Sequence, residues 1–235
     1  MGAETGCGKT VVMTGLASVM SDHGARIRAI KPLGIGAHKK DSCELSFMSI
    51  ISKSPVDYPL LNLNYPPSVL LSEWTNLLLT CTKSSIYSFI EMPGSCATPL
   101  NFLRNEDESY THNWKSVGDL VNELKLDCVL VAKHDIDALE KIELAVSYLR
   151  ASKIKICAIV TVEVNENDGK ILDERMYSHD FELMLTSRYN ISYLGKLSYS
   201  PVISVPKVSQ GNLKKSIEKD LDLLALRRMV ELPIA

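Results

Sequence analysis

The chain has 235 residues, with 26 Lys and Arg against 28 Asp and Glu and a net charge of −2. This balance gives no electrostatic reason to expect nucleic acid or an anionic membrane surface as the main partner. No apolar run approaches the roughly 20 residues that cross a bilayer. No basic-then-apolar leader opens the chain either, so we expect neither a membrane protein nor secretion. The six cysteines form no CxxC pair. We therefore expect free thiols and a reducing, cytoplasmic compartment.

Apolar runs typical of strands alternate along the chain with amphipathic runs typical of helices. Strands are predicted at residues 26–31, 86–91, 127–132, 154–162 and 191–194. Helices are predicted at residues 10–23, 67–81, 116–125, 137–151, 173–187 and 212–230. The runs DCVLVA and CAIVTV are apolar on both faces, as in strands that helices cover on both sides. The alternation predicts one α/β domain over residues 1–235, a three-layer, doubly wound and mostly parallel sheet.

Two stretches interrupt this alternation. Residues 54–67 carry four prolines and predict an irregular connection. Residues 92–113 follow a predicted strand and combine Pro93, Gly94 and Pro99 with an acidic patch. Ligands of open α/β sheets lie beyond the carboxyl ends of the strands. The second stretch is therefore a candidate active-site loop, with a surface excursion as the alternative.

The strongest functional signal is a phosphate-binding loop, AETGCGKT, at residues 3–10. Small residues let backbone N–H groups turn toward phosphate oxygens, and a helix that begins near Lys9 directs its N-terminal dipole at the same anion. Lys9 then bridges the β- and γ-phosphates of ATP, and the Thr10 hydroxyl binds Mg²⁺. The sheet is thus predicted to be of the P-loop NTPase type. The predicted nucleotide-binding residues are Glu4, Thr5, Gly6, Cys7, Gly8, Lys9, Thr10 and Val11.

A P-loop normally follows a β-strand, but only Met1 and Gly2 precede the loop in this sequence. These two residues are too few to form the strand that the fold requires. A buried central strand with four large apolar side chains contributes about 6–12 kcal/mol. That is comparable with the net stability of a whole domain. We therefore expect the native protein to start several residues upstream. Equal melting temperatures for this chain and an upstream-extended one would contradict that expectation.

Three further residues are candidates for chemistry. Pro32 favours extended backbone at Lys31, which can direct its ammonium across the top of the sheet; an ordinary strand-end lysine is the alternative. Asp41 precedes an apolar run and is either a helix N-cap or a direct or indirect Mg²⁺ ligand. Glu91 ends a predicted strand, where Walker B-type acids lie, and its alternative is a solvated strand end. The five histidines show no metal-binding spacing and are expected at the surface or in loops.

Several of these elements resemble the dethiobiotin synthetases. Residues 2–10 resemble their GTDTGVGKT-type loop, and residues 31–33 resemble their KPV element at the same spacing from the loop. Glu91 with Gly94 is similar to their EGAGG element, and residues 194–201 are similar to their late LGxLPxxP segment. The resemblance implies a homodimeric ATP-dependent carboligase. Such an enzyme converts the diamino acid 7,8-diaminononanoate, CO₂ and MgATP into dethiobiotin.

Site roles carry over with the resemblance. Lys9 and Lys31 would stabilise charge on the transferring phosphoryl group and on the carbamate, and Thr5 would help to position the substrate. The implied metal ligands are Thr10, Asp41 and Glu91. This chemistry is mainly electrostatic, so lysines and a metal ion suffice without a protein nucleophile.

The chain also departs from the pattern of that family. Residues 33–36 lack the hydroxyl residue expected after the Lys-Pro pair, and Met92 and Pro93 interrupt the glycines expected after Glu91. Alternatives are therefore a nucleotide-binding module with a decayed substrate site, a cobyrinate-type amidation domain, and the similar domain of some phosphotransacetylases. A chromosome-partitioning ATPase is disfavoured, because its signature lysine would fall at Glu4.

Overall fold

The computed structural model describes residues 1–22, 24–25, 27–35, 43–52, 56–57, 61–63, 76, 79, 87–101, 115–168 and 178–229. Its helices are α1 (Lys9–Asp22), α2 (Cys43–Ser52), α3 (Val117–Glu123), α4 (Ala138–Ala151), α5 (Ser178–Tyr189), α6 (Leu213–Asp220) and α7 (Leu223–Met229). Its strands are β1 (Ile27–Ile30), β2 (Leu33–Ile35), β3 (Val56–Asp57), β4 (Leu61–Leu63), β5 (Tyr87–Ile90), β6 (Pro99–Asn101), β7 (Lys115–Ser116), β8 (Cys128–Lys133), β9 (Ile156–Val162) and β10 (Ser192–Leu197). No helix in these ranges is long and apolar enough to span a bilayer.

The strands pair mainly in parallel. One three-stranded sheet has the order β3-β1-β5, and a second has the order β10-β9-β8. β2 and β4 form a short parallel pair, and β6 and β7 form an antiparallel one. This confirms the predicted α/β fold with mostly parallel strands.

Helices cover both faces of the β10-β9-β8 sheet. Leu130 and Ile159 face a cluster that buries side chains of α3, α4 and α5. Val131 and Val160 face a second cluster, formed with side chains of α1 and α6. Alternate residues of one strand thus enter opposite cores, which explains why β8 and β9 are apolar on both faces.

The first residues of the chain lie beside β8. Gly2 forms a parallel bridge with Val131, whose N–H donates to the Met1 carbonyl at 2.8 Å. The Gly2 carbonyl accepts the N–H of Cys96 from the segment that follows β5, at 3.0 Å. A cavity of about 260 Å³ lies between β5 and the first residues of β8. The expectation of an upstream start stays a prediction.

The predicted C-terminal helix at residues 212–230 is wrong in one respect, because it is two helices. Leu221 is extended, with φ −119° and ψ 142°, and it ends α6. Leu221 bridges to Gly195 of β10, and the Asp222 N–H donates to the Leu194 carbonyl at 2.7 Å. These tertiary bonds to β10 outweigh the helical periodicity of the sequence.

Some other elements have different boundaries from those predicted, and some were not predicted at all. The predicted strand 191–194 extends to Leu197 as β10, and the prolines of residues 54–67 flank the short strands β3 and β4. β2, β6 and β7 are not among the predicted strands, and the sequence indicates α2 only through the possible helix N-cap at Asp41. Of the helix predicted at 67–81, only residues 76 and 79 are described, and both are helical.

His134 directly follows β8 and lies outside the helices and strands, in line with the predicted loop position, but it is buried, with 3% of its surface exposed. Its Nδ1 lies 3.0 Å from the hydroxyl of Thr161, whose oxygen lies 2.6 Å from that of Tyr193. The Phe181 ring packs edge-on against His134. His23, His38 and His112 lie outside the described residues.

Gly195 gives the first testable prediction. Its φ is +128°, and a Cβ there would lie 2.2 Å from the carbonyl oxygen of Asp220. We expect Gly195→Ala to lower the free energy of unfolding by about 2–3 kcal/mol in urea denaturation, because strain and a backbone clash combine. Gly24→Ala is the control, since Gly24 also has a positive φ (+83°) but open space around it. Equal losses for the two variants would show that no clash exists at Gly195.

Candidate functional site

The phosphate-binding loop leads directly into α1. Gly8 has φ +89°, and a Cβ there would lie 2.8 Å from Cγ1 of Val162, at the carboxyl end of β9. Only glycine therefore lets the loop pack this closely against the strand. The Gly8 carbonyl accepts the N–H of Val12 at 3.0 Å, which starts the helical hydrogen-bond pattern. The unpaired N–H groups of the first turn then lie beside the loop, as anion binding requires.

Lys9 is the first residue of α1, and its ammonium folds back over the loop. Its Nζ donates to the carbonyl oxygen of Glu4 at 3.2 Å. The Glu4 carboxylate forms an ion pair with Lys141 of α4, at 3.1 Å, and Asp135 holds the same ammonium at 3.0 Å. Burial alone would lower the pKa of Lys141, but Asp135 and Glu4 outweigh it and hold this pKa above its ordinary value. The ion pair between Glu4 and Lys141 thus links the phosphate-binding loop to α4.

Lys31 directly follows β1 and lies between two carboxylates. Its Nζ lies 2.5 Å from Oε1 of Glu91 and 2.7 Å from Oε2 of Glu44. Lys31 and Glu91 are 6% and 5% exposed, whereas the Glu44 side chain is 42% exposed. Burial would lower the pKa of Lys31, but the two carboxylates more than offset burial and raise this pKa. Lys31 is therefore a fixed cation at neutral pH rather than a proton acceptor.

Thr10 and Glu91 together fit a divalent cation. The Thr10 hydroxyl donates to Oε1 of Glu91 at 2.9 Å, and Oε2 of Glu91 is buried with no hydrogen-bond partner. An orphaned carboxylate oxygen beside a hydroxyl is a donor set that Mg²⁺ accepts, and Mg²⁺ completes its shell with water and substrate phosphates. Within the described residues no group of three or more His, Cys, Asp and Glu could hold a metal by itself. Asp41, the third predicted ligand, lies outside the described residues.

A cavity of about 1180 Å³ joins these groups. The sequence-predicted residues that line it are Thr5, Gly6, Gly8, Lys9, Thr10, Val11, Lys31 and Glu91. The candidate active-site loop contributes Pro93, Gly94, Thr98 and Pro99. The structure therefore brings the P-loop, Lys31 and Glu91 to one site, as the sequence predicts.

Two predicted nucleotide-binding residues do not line the cavity. Glu4 is turned toward α4, as described above. Cys7 is fully buried, and its Sγ donates to the Val131 carbonyl at 3.2 Å. The Cys7 thiol therefore lacks the access to solvent that a redox-sensitive cysteine needs.

Two further parts of the cavity wall are not among the predicted site residues. The first is Glu44, whose one sequence signal is an acidic residue in the first turn of α2. The second is the segment at residues 197–207. Glu163 holds this segment, because its carboxylate forms an ion pair with Lys196 at 2.9 Å and accepts the N–H of Tyr199 at 3.0 Å.

The loop after β9 forms the adjacent wall and is also fixed by a carboxylate. Asp168 accepts the N–H groups of Val164 and Asn165 at 2.8 and 2.7 Å and forms an ion pair with Lys133 at 2.9 Å. Burial would raise the pKa of Asp168, but the bond from Lys133 and those from Asn165 outweigh it and lower this pKa. The Asn165 side chain also donates to Asp168, at 3.3 Å. Val164 lines the cavity, so this network holds the wall that follows β9 in place.

Comparison with known proteins supports both the fold and the resemblance. No family model matches the chain. The chain is 25% identical to the ATP-dependent dethiobiotin synthetase of Bacillus velezensis, over 98% of this chain and 96% of that protein. It is also 25% identical to the same enzyme of Haloferax mediterranei, over 89% of this chain and 83% of that protein. The chain thus resembles the dethiobiotin synthetases along almost its whole length. This confirms the resemblance that the loop and the Lys-Pro element indicated.

Solved structures show the same fold. The MinD cell division protein of Aquifex aeolicus matches with a TM-score of 0.60 at 9% identity, over 99% of this chain and 95% of that chain. A ParA family ATPase of Chlorobium tepidum matches with a TM-score of 0.55 at 13% identity, over 96% and 95% of the two chains. At such low identity these structures establish the fold alone, which is the P-loop ATPase fold predicted from the sequence.

Proposed function

We propose that the protein is an ATP-dependent carbon–nitrogen ligase that forms dethiobiotin from 7,8-diaminononanoate, CO₂ and MgATP. The observation that carries this proposal is the meeting of Lys9, Lys31, Thr10 and Glu91 in one cavity beside the P-loop. Similarity to dethiobiotin synthetases over nearly the full chain supports the choice of substrate. We propose a homodimer and a cytoplasmic location on the same resemblance.

The proposed reaction needs charge stabilisation more than acid–base catalysis. One amine captures CO₂ as a carbamate, the carbamate oxygen attacks the γ-phosphorus of ATP, and ADP leaves. The second amine then attacks the activated carbon and releases phosphate, which closes the cyclic urea. Negative charge accumulates on phosphoryl and carbamate oxygens throughout, so fixed cations at this point lower the barrier.

The residues of this chain match that requirement. Lys31 is a buried cation with a raised pKa, and Lys9 lies at the start of α1 where the triphosphate would bind. Mg²⁺ would neutralise phosphate charge, and Thr10 and Glu91 would hold it. The loop N–H groups would orient the phosphates, and the cavity walls at residues 162–164 and 197–207 would enclose the rest of the nucleotide.

A phosphate-release assay tests the proposal. With MgATP and bicarbonate, we expect release of phosphate that depends on 7,8-diaminononanoate, together with a product whose mass equals that of dethiobiotin. Replacing the diamine by a monoamine analogue is the control, because ring closure needs two amines. If ATP binds but the diamine leaves the rate unchanged, the ligase is contradicted and a nucleotide-binding module with a decayed substrate site is favoured.

A further inference from the structure

Five charged side chains form a continuous ion-pair network beside the cavity, and the proposed reaction leaves this network without a role. The network runs from Glu4 through Lys141, Asp135 and Lys133 to Asp168. Negative and positive charges alternate along it, so each lysine lies between two carboxylates. Asp135 is the middle member, and its Oδ2 lies 3.0 Å from Nζ of Lys141 and 3.6 Å from Nζ of Lys133.

The two ends of the network belong to loops that line the cavity. Glu4 directly precedes Thr5, which lines the cavity, and the Glu4 carbonyl accepts a hydrogen bond from the ammonium of Lys9. At the other end, Asp168 accepts the N–H of Val164, which belongs to the cavity wall after β9. The network therefore joins the phosphate-binding loop to that wall.

Burial strengthens this network relative to ion pairs at an open surface. Its five side chains are between 9% and 27% exposed, so solvent and salt screen them only in part. The hydrogen bond to Asp168 raises the pKa of Lys133 above its ordinary value, burial opposes this, and Asp135 adds to it. Because the pKa of Lys141 is also raised, both lysines stay charged at neutral pH.

Asp135 is itself fixed by the start of α4. Its Oδ1 accepts the N–H of Asp137 at 3.2 Å, and its carbonyl accepts the N–H of Ala138 at 3.0 Å. These bonds hold the residue independently of the two lysines. Asp135 therefore gives both loops a common attachment point on the turn between β8 and α4.

We propose that Asp135 is a positioning residue for nucleotide binding, which couples the phosphate-binding loop to the cavity wall after β9 through Lys141 and Lys133. The proposal rests on the proposed function, since it assumes that ATP binds at this loop. Asp135 is not among the described residues that line the cavity, so it acts through the residues that it holds and not by contact with ATP.

The sign of the effect on ATP affinity separates positioning from simple electrostatics. Asp135→Asn removes a negative charge near the proposed phosphate site, so charge alone would tighten ATP binding. Loss of positioning should instead weaken it by about three- to fivefold, the scale of one or two partly screened ion pairs. The variant keeps a side-chain oxygen for the Asp137 N–H, so the start of α4 is preserved. Isothermal titration calorimetry in Mg²⁺ measures the affinity.

A double-variant cycle measures the coupling itself. Glu4→Gln and Asp168→Asn cut the network at its two ends and keep the shape of each side chain. We expect each to weaken ATP binding about threefold and the double variant to weaken it about threefold as well, rather than the roughly ninefold of independent sites. In the Asp135→Asn background the two effects should multiply, because the ends are no longer joined. Loss of stability alone would not produce this pattern.

Asp127→Asn is the matched control. Asp127 directly precedes β8 and pairs at 2.8 Å with Lys155, which directly precedes β9. The variant therefore removes the same charge from an ion pair at the opposite ends of the two strands. We expect its ATP affinity to equal that of the wild type.

Three results would overturn the proposal. They are unchanged or tighter ATP binding by Asp135→Asn, independent effects of Glu4→Gln and Asp168→Asn while Asp135 is present, and equal weakening by Asp127→Asn. Absence of ATP binding by the wild type would overturn the proposed function and this proposal with it. Any of the three results in a wild-type background that binds ATP overturns this proposal alone.

Discussion

Replacing Lys31 with methionine should reduce diamine-dependent phosphate release by roughly 10²–10³-fold, the usual cost of losing one preorganised charge-stabilising group. Methionine keeps much of the side-chain volume but removes the ammonium. The affinity for MgATP should change far less, because Lys9 and the loop N–H groups remain. We therefore expect the loss in kcat rather than in the KM for ATP.

The same variant should also destabilise the protein. Lys31 and Glu91 form a buried pair at 2.5 Å, and removal of one partner leaves the other charge buried without compensation. Such changes typically cost about 3–5 kcal/mol. The contact with Glu44 adds little, because that side chain is 42% exposed and solvent screens it. Urea denaturation of the nucleotide-free protein measures this loss.

A double variant separates the two effects. In Lys31→Met/Glu91→Gln no uncompensated charge stays buried, so we expect most of the stability to return while activity stays low. If the single variant is as stable as the wild type, the buried ion pair does not exist in solution. If the double variant regains activity, Lys31 has no role in the reaction.

The parts of the fold that were predictable are those with a local signal. β8 and β9 were recognised because their residues are apolar on both faces, and both faces are indeed covered. α1 was recognised from its position after the small residues of the loop. The break at Leu221 has no such signal. It arises from bonds to Leu194 and Gly195, which lie more than 20 residues away along the chain.

The same distinction applies to the site. Thr10 belongs to a contiguous motif, and Lys31 and Glu91 each follow the carboxyl end of a strand. Because the carboxyl ends of parallel strands lie at the same edge of a sheet, all three residues are expected at that edge. Glu44 belongs to no motif. It reaches Lys31 only because α2 packs against α1 beside β1, and the sequence does not state how two helices pack. Its contact with Lys31 is therefore visible only in three dimensions.

Lys9→Ala should abolish detectable ATP binding, with a loss of affinity of at least about 100-fold. The ammonium is the one side-chain cation at the start of α1, and charge-assisted bonds to phosphate are among the stronger interactions available to a protein. The fold should survive, because the hydrogen bond that this ammonium forms within the described residues is a long one, 3.2 Å, to the Glu4 carbonyl. We expect a free energy of unfolding within about 0.5 kcal/mol of the wild type.

Lys155→Ala is the control for the loss of one positive charge. Lys155 pairs with Asp127 at the opposite end of β9, and its side chain is 69% exposed. We expect this variant to bind ATP as the wild type does, by isothermal titration calorimetry in Mg²⁺. ATP affinity that survives in Lys9→Ala would mean that residues 3–10 do not bind phosphate. Because Lys31 lines the same cavity, a variant without Lys9 that still bound ATP would point to Lys31 as the residue that holds the triphosphate.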